Sequence, residues 1–351
     1  MLMCLLSGRL SAQTSDDDRN NSDRRYSAVI CYSRRNGTGS KNLLIGDIRM
    51  RFLWKLIKWL VGLALILFLA AGLYAGNVAY EELFSAPWDQ ILGIENRKGE
   101  LDRIHSLEAR NGWQRVEVHS KDGTKLVGTY IPGESGTRNT VILLHGLYQN
   151  RTMGYNVLLA DLRGHGESEG GHTDWGIHDV EDMNAWVSLL RSKNPQMQIG
   201  FHGVSLGAAM ALIYSASDEG KQMKFYVADS SYGDLLDLGR DKLMKYTGDD
   251  RLVLGMDVLN PFFQAALYMH TGKLLSDIDP VNRVQHMTSP VLFLHGAKDQ
   301  LVPPEVAELL LADSSSTNKK LYIFQGASHT MEMSANGPAY REYVTDFIKN
   351  T

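Results

Sequence analysis

A serine hydroxyl attacks an acyl carbon only when a base takes its proton, and that base needs a third group to orient it. The chain offers one serine set up for this chemistry. Ser205 stands in Gly203-Val204-Ser205-Leu206-Gly207, between an apolar run ending at His202 and a helix-forming stretch over residues 208–217. Strand, sharp turn and helix in that order make a nucleophile elbow, where glycines tolerate crowding and helix-terminal N–H groups can stabilise an anion. A glycine-rich turn without chemistry is the alternative. In an elbow architecture the base and its partner follow in the order serine, acid, histidine. Among the eleven histidines, His329 is placed for the base, in Gly326-Ala-Ser-His329 just after a strand. The acid is expected after the strand ending at His295, which selects Asp299 in His295-Gly-Ala-Lys-Asp299; Asp313 and Glu305 fall in or after the next helix.

These three residues need a sheet to hold them. Val116-Glu-Val-His119 and Leu126-Val-Gly-Thr-Tyr-Ile131 flank Lys121-Asp-Gly123, a hairpin signal. Thr140-Val-Ile-Leu-Leu-His145 and Tyr155-Asn-Val-Leu-Leu-Ala-Asp161 are apolar runs of the kind buried on both faces of a parallel sheet. The elbow strand, Lys224-Phe-Tyr-Val-Ala-Asp229, Pro290-Val-Leu-Phe-Leu-His295 and Leu321-Tyr-Ile-Phe324 complete the set. Helical stretches at 175–191, 208–217, 304–311 and 338–349 alternate with the strands. That alternation predicts an α/β fold with a doubly wound, mainly parallel sheet. Residues 231–280 interrupt it with an apparently helical insertion carrying Met244, Met256, Phe262, Phe263, Tyr268 and Met269. Leaving the C-terminal end of a strand, it is expected to form a small cap over the ligand crevice, with these side chains packing it onto its base.

The N-terminal part differs in character. Residues 1–49 read as a disordered or spurious extension, with a regulatory tail as the alternative, because residues 11–42 are polar without sustained hydrophobic periodicity. Residues 50–80 read as a signal anchor. Residues 59–80 carry no charge and match a bilayer core of about 30 Å. Arg49, Arg51, Lys55 and Lys58 precede that stretch, while Glu81 and Glu82 follow it. The expected topology is therefore a single pass through the cell membrane, N-terminus cytoplasmic and the large domain outside. A cleaved signal peptide is the rival reading. Residues 81–112 form a connector, and 113–351 the main domain. A net charge of −4 argues against nucleic-acid binding. Both cysteines, Cys4 and Cys31, precede Met50, which leaves the main domain without a disulfide or thiolate site. His172 and His178 lack a carboxylate-rich shell, so no metal site is expected.

His145-Gly-Leu147, Asp161-Leu-Arg-Gly-His-Gly-Glu-Ser168, the elbow, His295-Gly-Ala-Lys-Asp299 and Ser328-His329 together resemble the successive landmarks of the α/β-hydrolase superfamily. The likeness is greatest to bacterial membrane-anchored hydrolases with a serine-aminopeptidase-like domain. It implies a serine hydrolase acting on a small-molecule or short-peptide ester, thioester or amide, with no cofactor. It further implies that the backbone N–H groups of Leu147 and Leu206 form the oxyanion hole; His165 is assigned a structural role in a turn. One departure stands out. Only residues 147–154 lie between Gly146 and Tyr155, where a parallel crossover normally carries a helix. A missing crossover helix is expected to bare apolar side chains on one sheet face, and it keeps a catalytically impaired surface-binding domain open as the alternative.

Overall fold

The computed structural model describes residues 39–85, 97–144, 155–170, 173 and 175–351. The chain divides into two units, Met1–Leu63 and Ala64–Thr351. In the first, the described residues belong to a long helix, α1 (Gly39–Ser85), which begins well before Met50 and continues into the second unit. Its apolar side chains are exposed, Trp54, Trp59 and Leu60 among them.

The second unit is built on eight strands: β1 (Gln114–His119), β2 (Lys125–Ile131), β3 (Asn139–Leu144), β4 (Asn156–Ala160), β5 (Gln198–Val204), β6 (Tyr226–Asp229), β7 (Val291–Gly296) and β8 (Lys319–Phe324). Their order across the sheet is β1-β2-β4-β3-β5-β6-β7-β8. β2 is antiparallel to both neighbours, and from β4 to β8 every pairing is parallel. The β1–β2 hairpin closes at the expected turn, where Gly123 takes φ +89°. The polypeptide leaves β3 for β4 on one side, while β5 lies on the other. The switch point thus falls at the C-terminal end of β3, beside the elbow.

Strand alternation sends successive side chains to opposite faces. Ile142 and Leu144 of β3 point into one core, with Leu158, Phe201 and Tyr226, covered by α3 (Asp179–Lys193) and α4 (Leu206–Ser215) after α2 (Arg97–Asn111). Val141 and Leu143 point into the other, with Phe225, Val227, Leu292 and Leu294. Between β6 and β7 come α5 (Leu235–Thr247), α6 (Asp250–Thr271), α7 (Leu275–Ile278) and α8 (Pro280–Val284). Asp234 and Asp249 cap the starts of α5 and α6 through backbone N–H groups, and left-handed Gly248 and Gly272 close their ends. After β7 come α9 (Glu305–Asp313), then, beyond β8, α10 (Glu332–Ala335) and α11 (Gly337–Lys349), whose Tyr340, Val344 and Phe347 join the second core.

The short β3–β4 connection lies, for residues 145–154, outside the described residues. Its two strands nevertheless pair in parallel from Thr140 opposite Asn156 to Leu144 opposite Ala160. The expectation of a bared sheet face is not met at Val141, Leu143 and Val157, which are buried. Ile131, Tyr155 and Leu159 on that face are half-buried. The second core extends across β3 and β4, so the loss of cover is confined to its border.

Trp186 on α3 is fully buried, and its ring fills the space over Gly128 of β2, where an added Cβ would come within 3.2 Å of it. Trp186→Ala is expected to lower the unfolding free energy by about 3–5 kcal/mol, read from urea titration. A loss below about 1 kcal/mol would show that the α3 contact with the sheet contributes little.

Candidate active site

β5 runs buried to Gly203, is half-buried at Val204, and then turns without a loop into α4. The turn forces Ser205 to φ 52°, ψ −115°, a backbone that side-chain-bearing residues rarely adopt. Such strain persists only when the surroundings hold it. Here the Ser205 N–H donates to the Asp229 carbonyl of β6 at 2.8 Å. The flanking glycines make room: a Cβ on Gly203 would overlap the Gly207 carbonyl, and one on Gly207 the Leu144 carbonyl of β3. Leu206 opens α4, so its N–H has no acceptor within the helix.

The Ser205 hydroxyl lies 2.8 Å from Nε2 of His329, and Nδ1 of His329 lies 2.7 Å from Oδ2 of Asp299. A carboxylate at Nδ1 fixes the proton there and leaves the Nε2 lone pair facing the hydroxyl. The structure thus brings together the three side chains singled out in the sequence. Leu206 is adjacent to them, while Leu147 falls outside the described residues.

Asp299 is held from several sides. The N–H groups of Leu301 and Val302 donate to its Oδ1, both at 2.9 Å. Burial by itself would raise this carboxyl, but hydrogen bonds from His295, His329 and the Val302 amide outweigh it. They hold the group well below the usual carboxylate range. His295, at the end of β7, is a further partner that the strand pattern does not reveal. Its Nε2 sits 3.2 Å from Asp299 Oδ2 and 2.9 Å from the Val302 carbonyl. Burial pulls the imidazole pKa down, yet the bond to Asp299 and the carbonyl raise it overall. Its position four residues before the acid was the available signal.

A second polar cluster, also unforeseen, lies under the histidine loop. Ser230 (φ +56°) accepts from the N–H of Thr330 (φ +60°) at 3.2 Å, and its hydroxyl reaches Glu332 Oε1 at 2.8 Å. The Tyr340 hydroxyl donates to Asp229 Oδ2 at 2.7 Å and lies 3.0 Å from His202 Nε2. Burial first, and then the nearby Glu332 carboxyl, push the Asp229 pKa well up; burial alone takes His202 down to about 4. The cluster therefore favours an uncharged Asp229 and an uncharged imidazole.

The Asp161–Ser168 segment serves as scaffold. Arg163 forks onto buried Asp182 at 2.7 and 3.0 Å and also binds Asp122 at 2.7 Å. His165 Nδ1 sits 2.9 Å from the Arg163 carbonyl, in the turn role expected of it. A cavity of about 670 Å³ opens between α5, α8 and α9, lined by Asp237, Met244 and Val306 among others; Ser205 and His329 are not part of its wall.

A serine at a strand-to-helix elbow of an eight-stranded, mostly parallel sheet defines a serine hydrolase of the α/β-hydrolase fold. The chain belongs to the prolyl oligopeptidase family, whose pattern matches residues 144–351. Uncharacterized protein YqkD of Bacillus subtilis is 31% identical over 226 residues, which are 61% of this chain and 72% of that one. The lysophosphatidylserine lipase ABHD12 of Danio rerio is 26% identical over 193 residues, 55% of this chain and 48% of that one. Among solved structures, the esterase Pf2001 of Pyrococcus furiosus superposes with a TM-score of 0.52 at 26% identity, covering 68% of this chain and 91% of the esterase.

Two substitutions probe the buried cluster. Tyr340→Phe removes a hydroxyl bonded on both sides and should cost about 1–3 kcal/mol; an unchanged urea midpoint would show the bonds to be idle. Asp229 has a folded-state pKa above the ~3.9 of an unfolded chain. Its contribution is therefore fully present below that value and is lost as the pH rises toward the folded pKa. Asp229→Asn should accordingly gain stability relative to wild type as the pH is raised from about 4. A difference that stays flat with pH would contradict the raised pKa.

Proposed function

We propose that this protein is a membrane-anchored hydrolase that cleaves a carboxylic ester, thioester or small amide through Ser205, His329 and Asp299. The observation that carries the reading is the continuous hydrogen-bonded relay from Ser205 Oγ through both His329 nitrogens to Asp299. In this mechanism the Ser205 oxygen attacks the acyl carbon while His329 Nε2 takes its proton. Charge gathers on the former carbonyl oxygen, where the Leu206 N–H, together with that of Leu147, donates to it. His329 then returns the proton to the leaving group, and water repeats the sequence on the acyl-enzyme. Asp299 keeps the imidazole oriented and stabilises its cationic form. An ester is the favoured substrate, since Pf2001 is named an esterase and ABHD12 a lipase.

The anchor reading is supported by α1, whose stretch Arg49–Ser85 is long and apolar enough to cross a bilayer. With Arg49, Arg51, Lys55 and Lys58 at the start of that stretch, ahead of the uncharged residues 59–80, the hydrolase domain lies outside the cytoplasm.

The chemistry is tested with a short-chain p-nitrophenyl ester. Ser205→Ala and His329→Ala should each lower kcat by on the order of 10⁶-fold and Asp299→Asn by about 10⁴-fold, the acid acting only through the base. Turnover by Ser205→Ala equal to wild type would refute the mechanism. For the topology, protease added to intact cells should digest residues beyond Tyr80. Protection of that region, with a surface control cut, would reverse the orientation.

A further inference from the structure

Among the described residues a second helix is long and apolar enough to cross a membrane: α6, Asp250–Thr271, in the insertion between β6 and β7. Its inward face is ordinary. Phe263 packs on the core, and Ala266 and Leu267 are fully buried. The outward face is not, because a surface helix normally turns charged and polar residues to water. At helical spacing α6 instead presents Leu254, Val258, Pro261 and Tyr268, with Met269 beside them and half-buried Ala265 between. Leu254 is 62% exposed, Val258 49%, Tyr268 58% and Met269 67%. Between Leu254 and Met269 the one charged residue is Asp257, which is paired with Arg240 at 2.6 Å.

What α6 lies against identifies its surroundings. The Phe262 ring meets Phe68 of α1 edge-on at 5.8 Å. The ring seats on Gly72 and the Phe262 backbone lies against Gly76, so that a Cβ at either glycine would overlap Phe262. Further along, His270 stacks on Tyr80 at 4.4 Å and bonds to Asn77 at 2.8 Å. Residue numbers rise together along both helices, so the two run parallel. α6 therefore accompanies the uncharged stretch of α1 as well as the body of the hydrolase. Small residues four apart, letting two backbones approach, are how helices pack within lipid. The apolar surface continues onto α1 through Phe68, Leu69 and Leu73, all exposed.

We propose that the outward stripe of α6 is immersed in the leaflet on the hydrolase side of the bilayer that α1 crosses, with lipid acyl chains as its occupant. The cap is then a second membrane element beside the anchor. This rests on the anchor reading of α1 given above. Asp257, paired with Arg240, and Arg251, paired with Asp249, border the stripe, so neither meets it as an uncompensated charge.

The test uses the full-length chain carrying Cys4→Ser and Cys31→Ser, reconstituted in vesicles of phosphatidylcholine and phosphatidylglycerol. A nitroxide is attached in turn through Val258→Cys, Tyr268→Cys, Ile66→Cys on α1 and, on β8, Lys320→Cys at an exposed position. Each variant is accepted only if its thermal unfolding matches the unlabelled protein. Two independent positions on α6 guard against one failing to fold. The expected result is preferential collision with oxygen over a water-soluble nickel complex at 258 and 268, as at 66, with the ratio several-fold above that at 320. A lipid-exposed label at 66 with nickel-accessible labels on α6 would overturn the proposal and leave the anchor standing. Labels on α6 shielded from both reagents, as under a second copy of the chain, would also overturn it. A nickel-accessible label at 66 would remove the anchor reading and the proposal together.

Discussion

The end of β6 holds both halves of the site. The Asp229 carbonyl takes the Ser205 N–H and so fixes Ser205 in its strained turn. One residue later, the Ser230 hydroxyl takes the Thr330 N–H and so fixes the backbone next to His329. Ser205, Ser230 and Thr330 all lie at positive φ, which three side-chain-bearing residues adopt only where surrounding bonds impose it. The elbow and the histidine loop come from distant parts of the chain. Their common support on one strand end is what brings Ser205 Oγ within 2.8 Å of His329.

Burial sets the electrostatics around that support in two opposite ways. Asp299 is buried yet remains ionised, because four hydrogen-bonding groups surround its two oxygens. Asp229 is buried with a second carboxyl nearby and is pushed toward its neutral form. One acid is thus held toward its ionised form beside His329, while the other is pushed toward its neutral form within the frame.

Most of the fold was legible in the sequence, because a parallel sheet covered on both faces writes itself as apolar runs. On the runs at 140–144, 224–229 and 290–295 lie β3, β6 and β7, and the motif around Ser205 put the elbow within two residues of its place. The relay was legible for a related reason: each member follows a strand, so chain order alone separated Asp299 from Glu305 and Asp313. Contacts with no local pattern were not legible. His202, Asp229, Ser230, Glu332 and Tyr340 form one cluster from four separate elements, and nothing in the spacing of polar residues announces it. The burial of Val141 and Val157 depends on packing across the whole second face, which a count of residues in one connection does not capture. The seating of Phe262 on Gly72 and Gly76 is of the same kind.

The central claim is that Ser205 is the activated nucleophile of this site. A fluorophosphonate probe reacts with serines made nucleophilic by an adjacent base, and peptide mass mapping locates the adduct. The account predicts one phosphonylated serine in the full-length protein, at Ser205, and loss of that adduct when His329 is replaced by alanine. An unreacted Ser205 in folded protein, or an adduct at another serine that accompanies loss of hydrolysis, would contradict it.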